Sequence, residues 1–469
     1  MKQCYLLIIS LFILVSCKKD VDEDVTFFAG KILNTNHKYI TIGHKSGIID
    51  TVYLNDNSEF SYTFKNAEPG FYKFRLEPES QMFYIEEGDS LWVRVNASEF
   101  DESLVFTGDG AERNNFLMQL YLLNEKNNDL ILSYYKLSPS EFAKINDSIR
   151  GARLSQLNEL NTTHNFSPEF FNTAKKTIDY EYYDFKERYS FLMNRYFNEF
   201  NIQYPDNFFD YREEVDFNDK DLEMHYTYEH FMDNYIKNKS LENCLKKHKA
   251  SYCVSLNSAE NLKGRIILAD SLFKNEDVRN RYITRYVSSG IIFSENKSQL
   301  DSSLETIKEL NYTNDLIVPL EEMVALQRLF LSGSNISDKT LYNSKLETIT
   351  IKEKLHKPTV VFFWSMYQQE QLKNTHLIIN ELRNKYPEID FIGLNIDIGE
   401  KEAWQKALEN LGYNQDYEYQ IAKTDFSKKL YHHYLHKILF VNKNGEIIRG
   451  NATILNPNFE NYILEFLNN

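Results

Sequence analysis

The amino-acid sequence predicts a multidomain α+β protein with an N-terminal β-sandwich, a helical middle region and a C-terminal α/β domain. Three observations predict this order. Short stretches rich in β-branched and aromatic residues follow one another up to about residue 110. Helix start signals and apolar spacings of three and four then continue to about residue 340. A β-α-β pattern fills the remainder, residues 341–469.

The chain begins with the features of an export leader. Lys2 precedes an apolar run over residues 5–15, which is too short to span a bilayer as a mature helix. The run ends in the sequence LVSC at Cys17, which resembles the bacterial lipobox. The resemblance implies that residues 1–16 are a signal peptide and that Cys17 carries a lipid. The alternative is an ordinary cleaved leader followed by a chance cysteine.

Residues 17–25 are expected to form an acidic tether. The sequence KKDVDED after Cys17 resembles the tract that directs some Bacteroidetes lipoproteins to the outer face of the outer membrane, and a plain spacer is the alternative. No later segment approaches the length of a transmembrane helix, so the lipid is the expected membrane contact. We therefore expect a lipid-anchored protein of the bacterial cell envelope, at the outer membrane and facing either the periplasm or the cell surface.

Composition limits the classes of partner. The formal net charge is −15, which repels nucleic acid and excludes it as an expected partner. Hydrophobic residues make up 42% of the chain and aromatic residues 14%, which favours packed cores over disorder.

Two of the four cysteines are left for thiol chemistry. Cys4 would leave with the leader and Cys17 would carry the lipid, so Cys244 and Cys253 remain. An exported protein meets an oxidising compartment, which favours a disulfide between them. Two separate reduced thiols remain the alternative, because nothing in the sequence fixes their distance.

Residues 26–110 are predicted to form the β-sandwich. Turn signals at 55–57, 68–70 and 87–89 separate short aromatic and β-branched stretches. The predicted strands are 39–42, 51–54, 60–64, 72–76 and 91–95. Residues 84–93 also resemble a signature of the N-terminal sandwich on many Bacteroidetes thioredoxin-family lipoproteins, with Glu87 where proline is usual.

Residues 111–340 are predicted to be helical. Ser138 and Ser167 each precede a proline and an acidic first turn, which is typical of a capped helix start. Residues 180–200 carry many aromatic side chains at spacings of three and four, which predicts a buried helix face. A carbohydrate-binding platform is the alternative for these rings.

Residues 341–469 are predicted to alternate strands and helices. A continuous apolar strand at 357–365 is followed by a helix at 370–386, a strand at 389–397 and a helix at 400–411. Residues 427–435 continue as helix, a hairpin turns at 443–445, and a last helix covers 459–467.

This segment resembles the TlpA/ResA-like branch of the thioredoxin superfamily over about residues 345–469. In that family a strand runs into phenylalanine, tryptophan and a small residue before a Cys-x-x-Cys pair at a helix N-terminus. Phe363 and Trp364 match this approach, but Gln368 and Gln371 occupy the two cysteine positions. His436 stands where the resemblance implies a cis-proline. The resemblance therefore implies a thioredoxin-like α/β domain with a degenerate redox motif.

The substitutions decide the expected function. Thiol–disulfide exchange needs a thiolate, and an amide cannot replace it, so the domain is predicted to be redox-inactive, with no catalytic residue. The first hypothesis is a non-enzymatic binding or scaffold protein that holds a peptide or protein ligand and needs no cofactor. The second is a thiol-disulfide oxidoreductase of the TlpA/ResA-like family that uses other cysteines, namely Cys244 and Cys253.

Three histidines near the C-terminus have a spacing that a metal site could use. His432, His433 and His436 lie close in sequence, but no carboxylate partner or second ligand cluster accompanies them. We therefore expect surface histidines and no bound metal.

Overall fold

A computed structural model describes residues 25–45, 47–197, 202–253, 255, 258–456 and 458–468. The predicted leader, Cys17 and nearly all of the acidic tether lie outside the described residues. The chain divides into two compact units. The first holds residues up to 132 together with 147–181 and 224–228, and the second holds 133–146, 182–223 and 229–469. The predicted domain boundaries stay a prediction.

The first unit contains two four-stranded sheets. Their strands are β1 (Phe27–Leu33), β2 (Tyr39–His44), β3 (Gly47–Tyr53), β4 (Glu59–Thr63), β5 (Gly70–Leu76), β6 (Glu79–Ile85), β7 (Ser90–Asn96) and β8 (Val105–Gly108). The sheet orders are β4-β1-β7-β8 and β3-β2-β5-β6. Alternate side chains of both sheets enter one core, in which the rings of Phe28 and Phe83 stack at 4.2 Å.

Ten helices follow these strands or lie between them within the described residues up to 328. They are α1 (Phe100–Ser103), α2 (Ala111–Tyr134), α3 (Pro139–His164), α4 (Pro168–Tyr196), α5 (Tyr226–Leu245), α6 (Ala250–Cys253), α7 (Ala259–Leu272), α8 (Glu276–Ile292), α9 (Lys297–Glu309) and α10 (Asn314–Arg328). In the first turn of α4, Ser167 Oγ accepts a hydrogen bond from the Phe170 amide at 3.0 Å, as its sequence predicts.

Four aromatic side chains of α4 lie inward, as the spacing predicts, whereas Tyr196 at the end of the helix is 63% exposed. Tyr180, Tyr183, Phe185 and Tyr189 are all buried. Phe200 belongs to the same sequence pattern but lies outside the described residues. Core packing, and not a sugar-binding platform, therefore accounts for these four rings.

The second unit ends in a seven-stranded mixed sheet. Its strands are β9 (Thr340–Tyr342), β10 (Thr348–Thr350), β11 (Thr359–Trp364), β12 (Asp390–Asn395), β13 (Glu418–Ile421), β14 (Lys437–Val441) and β15 (Ile447–Thr453), in the order β10-β9-β13-β12-β11-β14-β15. Strands β11, β12 and β13 are parallel, and β14 and β15 continue antiparallel. The helices are α11 (Gln369–Lys385), α12 (Lys401–Leu411), α13 (Lys428–His432) and α14 (Phe459–Leu467).

This β-α-β unit, followed by an antiparallel hairpin and a last helix, is the thioredoxin-like arrangement that the sequence resemblance implied. Strand β11 is buried at all six positions, because both of its faces are covered. Val360, Phe362 and Trp364 pack in one core with α11 and α14. The predicted helix over 427–435 is shorter than expected, since α13 ends at His432 and a turn leads into β14.

No helix in the described part of the chain combines the length and the apolar character that crossing a bilayer requires.

Candidate functional site

The candidate site lies where β11 ends and α11 begins. We call it the Gln site and define it as residues 365–371 together with Leu435 and His436. The chain leaves β11 at Trp364, turns through the next residues, and enters α11 with Gln368 as the N-cap. The two glutamines at the family's cysteine positions therefore occupy the first turn of a helix, as the resemblance implied.

Gln371 ties three parts of the site together. Its Nε2 atom lies 3.1 Å from the Phe363 carbonyl oxygen, 2.9 Å from the Leu435 carbonyl oxygen and 3.2 Å from Thr375 Oγ1. These bonds join the end of β11, the first turns of α11 and the loop before β14. The role of Gln371 is thus to hold the backbone of the site in place.

The side chain of Gln368 faces solvent. Its side chain is exposed and makes no capping hydrogen bond, while its carbonyl oxygen accepts from the Leu372 amide at 2.8 Å. The two glutamines therefore differ in what they can do. Gln371 is engaged inside the fold, and Gln368 presents an amide to the surroundings.

His436 and Lys437 are neighbours where β14 begins, but their side chains differ in exposure. His436 is exposed, whereas the side chain of Lys437 is completely buried. The Lys437 ammonium donates to the carbonyl oxygen of Ile292 at the end of α8, and burial holds its pKa well below the usual value. The side chain of Lys437 therefore points into the protein and shares no surface with His436.

A buried carboxylate fixes the turn after β11. Asp397 is fully buried and accepts hydrogen bonds from Ser365 Oγ at 2.8 Å and from the Met366 amide at 2.7 Å. Asn395 Nδ2 donates to the same carboxylate at 3.0 Å, and Lys428 Nζ lies 3.5 Å away.

A tyrosine forms the exposed side of the site. Tyr367 is 60% exposed, and its hydroxyl donates to Glu400. Lys428 Nζ lies 2.5 Å from the other Glu400 oxygen and 4.4 Å from the centre of the Tyr367 ring. The hydrogen bonds from Lys428 and Tyr367 lower the pKa of Glu400. Glu400 and Lys428 were missed, because isolated charged residues on a surface give no sequence signal.

The exposed groups of the site can make hydrogen bonds and aromatic contacts. Tyr367 supplies an aromatic face and Gln368 an amide at a helix N-terminus whose first N–H groups favour acceptors. His436 adds an exposed imidazole. The residues of the site contain no thiol, so they have nothing with which to exchange a disulfide.

The two remaining cysteines lie elsewhere. Cys244 in α5 and Cys253 at the end of α6 are joined in a disulfide with a Cα–Cα distance of 5.7 Å. Their exposed fractions are 4% and 0%, and they pack against Leu241. The pair belongs to the helical region and not to the sheet that carries Gln368 and Gln371.

The histidine cluster shows no metal geometry. Within the described ranges no group of three histidine, cysteine, aspartate or glutamate side chains could hold a metal ion. His433 and His436 are both exposed.

Comparisons with known proteins place the chain beside thioredoxin-like structures. No protein-family model matches it, and no curated protein matches it. The thioredoxin domain of a thiol-disulfide oxidoreductase from Bacteroides vulgatus is 20% identical, covers 29% of this chain and 96% of its own, and has a TM-score of 0.22. A thiol:disulfide interchange protein from a Bacteroides species is 19% identical over 29% of this chain and 91% of its own, with a TM-score of 0.22. A thioredoxin-like protein from Bacteroides caccae is 14% identical over 60% of this chain and 93% of its own, with a TM-score of 0.33. The thioredoxin-like assignment of the sheet rests on its strand order and directions.

Proposed function

We propose that the protein is a non-enzymatic binding protein of the bacterial cell envelope, which holds a peptide segment of a protein partner at the Gln site. One observation carries this proposal. The backbone of a thioredoxin-like redox site is kept in place by the Gln371 bonds, while an exposed amide stands at the first cysteine position.

The absence of reactive sulfur supports a redox-inactive domain. Apart from Cys4 and Cys17, which lie outside the described residues, the chain has only Cys244 and Cys253. Both are buried in a disulfide, and a thiolate must reach a sulfur directly to exchange it. An oxidoreductase built on this pair would need the helical region to open first.

The exposed groups suit a peptide better than other ligands. An extended peptide offers carbonyl oxygens and N–H groups, which the Gln368 amide and the His436 imidazole can pair with. The Tyr367 ring, 60% exposed, offers an apolar face to a peptide side chain. The net charge of −15 disfavours nucleic acid.

The membrane part of the proposal rests on the leader sequence. We propose that Cys17 carries the lipid and that the outer membrane is the site of anchoring. Mass analysis of the N-terminal peptide of the mature protein tests this. A lipid-modified Cys17 supports it, and an unmodified cysteine or cleavage at another residue contradicts it.

Panning a random-peptide library against the immobilised protein tests the binding function. For the peptides selected, Gln368→Ala and Tyr367→Ala should each weaken binding about tenfold or more, as expected for contacts at the centre of an interface. Gln203→Ala and Tyr53→Ala are matched controls, because both residues are exposed and lie outside the site. Equal affinities in the site variants and the controls would remove the Gln site from the proposal.

Insulin reduction tests the alternative. The proposal expects no turnover above the uncatalysed rate. Turnover that is lost in a Cys244→Ser variant would establish the oxidoreductase hypothesis instead.

A further inference from the structure

A hollow lies on the face of the C-terminal sheet that α11 and α14 do not cover. Phe362 and Trp364 point into the core beneath those helices, so Phe363 between them points to the opposite face. Leu439, between Ile438 and Phe440 in β14, also points to this opposite face. Together with neighbours from the other strands, Phe363 and Leu439 form the floor of a hollow of about 290 Å³.

The hollow sits at the carboxyl ends of the three parallel strands. Phe363 and Leu394 are the last but one residues of β11 and β12, and Ile421 is the last residue of β13. Open α/β sheets bind ligands at this end, because the connections leave there in different directions and open a crevice. The hollow therefore borders the end of the sheet at which such proteins bind ligands.

Its apolar walls combine leucine and isoleucine side chains with four aromatic rings. Phe330 lies with its ring centre 5.6 Å from that of Phe363, and the Tyr431 ring lies 6.5 Å from Phe363. Phe426 adds a further ring. Protein interiors contain few voids larger than a water molecule, so a hollow of this size between large side chains has room for a guest. A cavity of roughly 150 Å³ holds benzene, so this one has room for about two fused rings.

The polar groups of the hollow restrict the charge of the guest. Inside, the Tyr431 hydroxyl and Thr424 Oγ1 lie 3.0 Å apart, and burial raises the pKa of Tyr431, so the phenol stays neutral. Lys339, Lys423, Asp338 and Asp425 line its edge, two of each sign. Balanced charge at the mouth favours neither an anion nor a cation.

We propose that this hollow is a binding site for an uncharged aromatic small molecule that carries one hydroxyl group. The aromatic body fills the hollow and packs against the rings of Phe330, Phe363 and Tyr431. The hydroxyl joins the hydrogen bond between Tyr431 and Thr424, which fixes the orientation.

Titration of the mature protein with 1-naphthol, naphthalene and 1-naphthoate tests the site. We expect saturable one-to-one binding of 1-naphthol, with naphthalene about fivefold to tenfold weaker for lack of one hydrogen bond. Tyr431→Phe should weaken 1-naphthol to the level of naphthalene and leave naphthalene unchanged. No saturable binding of 1-naphthol, or tighter binding of 1-naphthoate, would overturn the proposal.

A filling substitution locates the bound molecule. Leu394→Phe should reduce 1-naphthol binding about tenfold or more, whereas Leu455→Phe, at an exposed position, should not. If Leu394→Phe does not fold, methyl resonances of the unaltered protein decide the matter. Shifts of Leu341, Leu394 and Leu439 on addition of 1-naphthol support the site, and shifts confined to other methyl groups refute it.

Discussion

A redox centre needs reactive sulfur and access to it in one place. In this protein the Gln site has the access, and the Cys244–Cys253 pair has the sulfur. The Gln site has an accessible helix N-terminus beside a strand end, but amides replace sulfur. The cysteine pair has the sulfur but is buried at 4% and 0% exposure. Disulfide exchange needs both a thiolate and access to it, and each region supplies one of the two. The difference teaches that the geometry of a site and its reactive atoms can occur in separate parts of one chain.

Placing two cysteines in the Gln site should have the largest effect on activity. In a Gln368→Cys/Gln371→Cys variant, the two thiols would lie in the first turn of α11, where the helix N-terminus stabilises a thiolate. We expect a disulfide that dithiothreitol reduces and insulin reduction about tenfold or more above the unaltered protein. Gln203→Cys serves as a control for a single exposed thiol. An inactive double variant would show that the geometry has been lost together with the chemistry.

Replacing both cysteines of the helical region should lower the free energy of unfolding but leave peptide binding unchanged. The Cys244→Ala/Cys253→Ala variant loses a cross-link between positions nine apart and should unfold with about 3 kcal/mol less free energy. Denaturant unfolding followed by circular dichroism measures this. Peptide affinity at the Gln site should stay the same in the folded variant. A fall in affinity would mean that the two regions are not independent.

The buried ammonium next to the Gln site predicts a pH effect. The pKa of Lys437 is lowered in the folded protein, so the unfolded chain binds the extra proton between that pKa and about 10.4. Stability should therefore rise with pH in this window. In the pH range just below about 10.4 the unaltered protein should gain at most about 1.4 kcal/mol per pH unit relative to Lys437→Met. Parallel stability curves for the two proteins would contradict this.

The smallest expected effect separates the two glutamines. Gln371→Ala removes hydrogen bonds to the Phe363 and Leu435 carbonyl oxygens and should lower the free energy of unfolding by about 1 kcal/mol or slightly more. Gln368→Ala removes an exposed side chain and should change it by less than about 0.5 kcal/mol. Chemical denaturation of both variants measures the difference. Equal losses would mean that the division of roles between the glutamines is wrong.

The sequence predicted the strongly patterned parts of the fold. Strand β11 is a continuous apolar run, and the last helix was predicted over the same residues that α14 occupies, 459–467. In both segments the pattern of apolar residues is unbroken and allows only one interpretation. Strand β13 was not predicted. Its four residues include Glu418 and Gln420, whose burial depends on distant partners that a local pattern does not contain.

In the Gln site, too, the sequence could not predict a feature that depends on a distant partner. The two glutamines were found because a family motif fixes their positions. The inward direction of Lys437 was not found, since it depends on the end of α8, 145 residues earlier in the sequence. Contacts of that range leave no periodic trace in either segment.

The strand order of the C-terminal sheet has a consequence for the order of folding. Strand β9 is the first strand of this sheet in the sequence, yet it pairs with β13, which follows only after β11 and β12. A chain that folds from its N-terminal end therefore leaves one edge of the β9–β10 hairpin unpaired until residues 418–421 are available. Unpaired edges invite pairing with other chains, so covering this edge in that interval would protect the protein from wrong pairing.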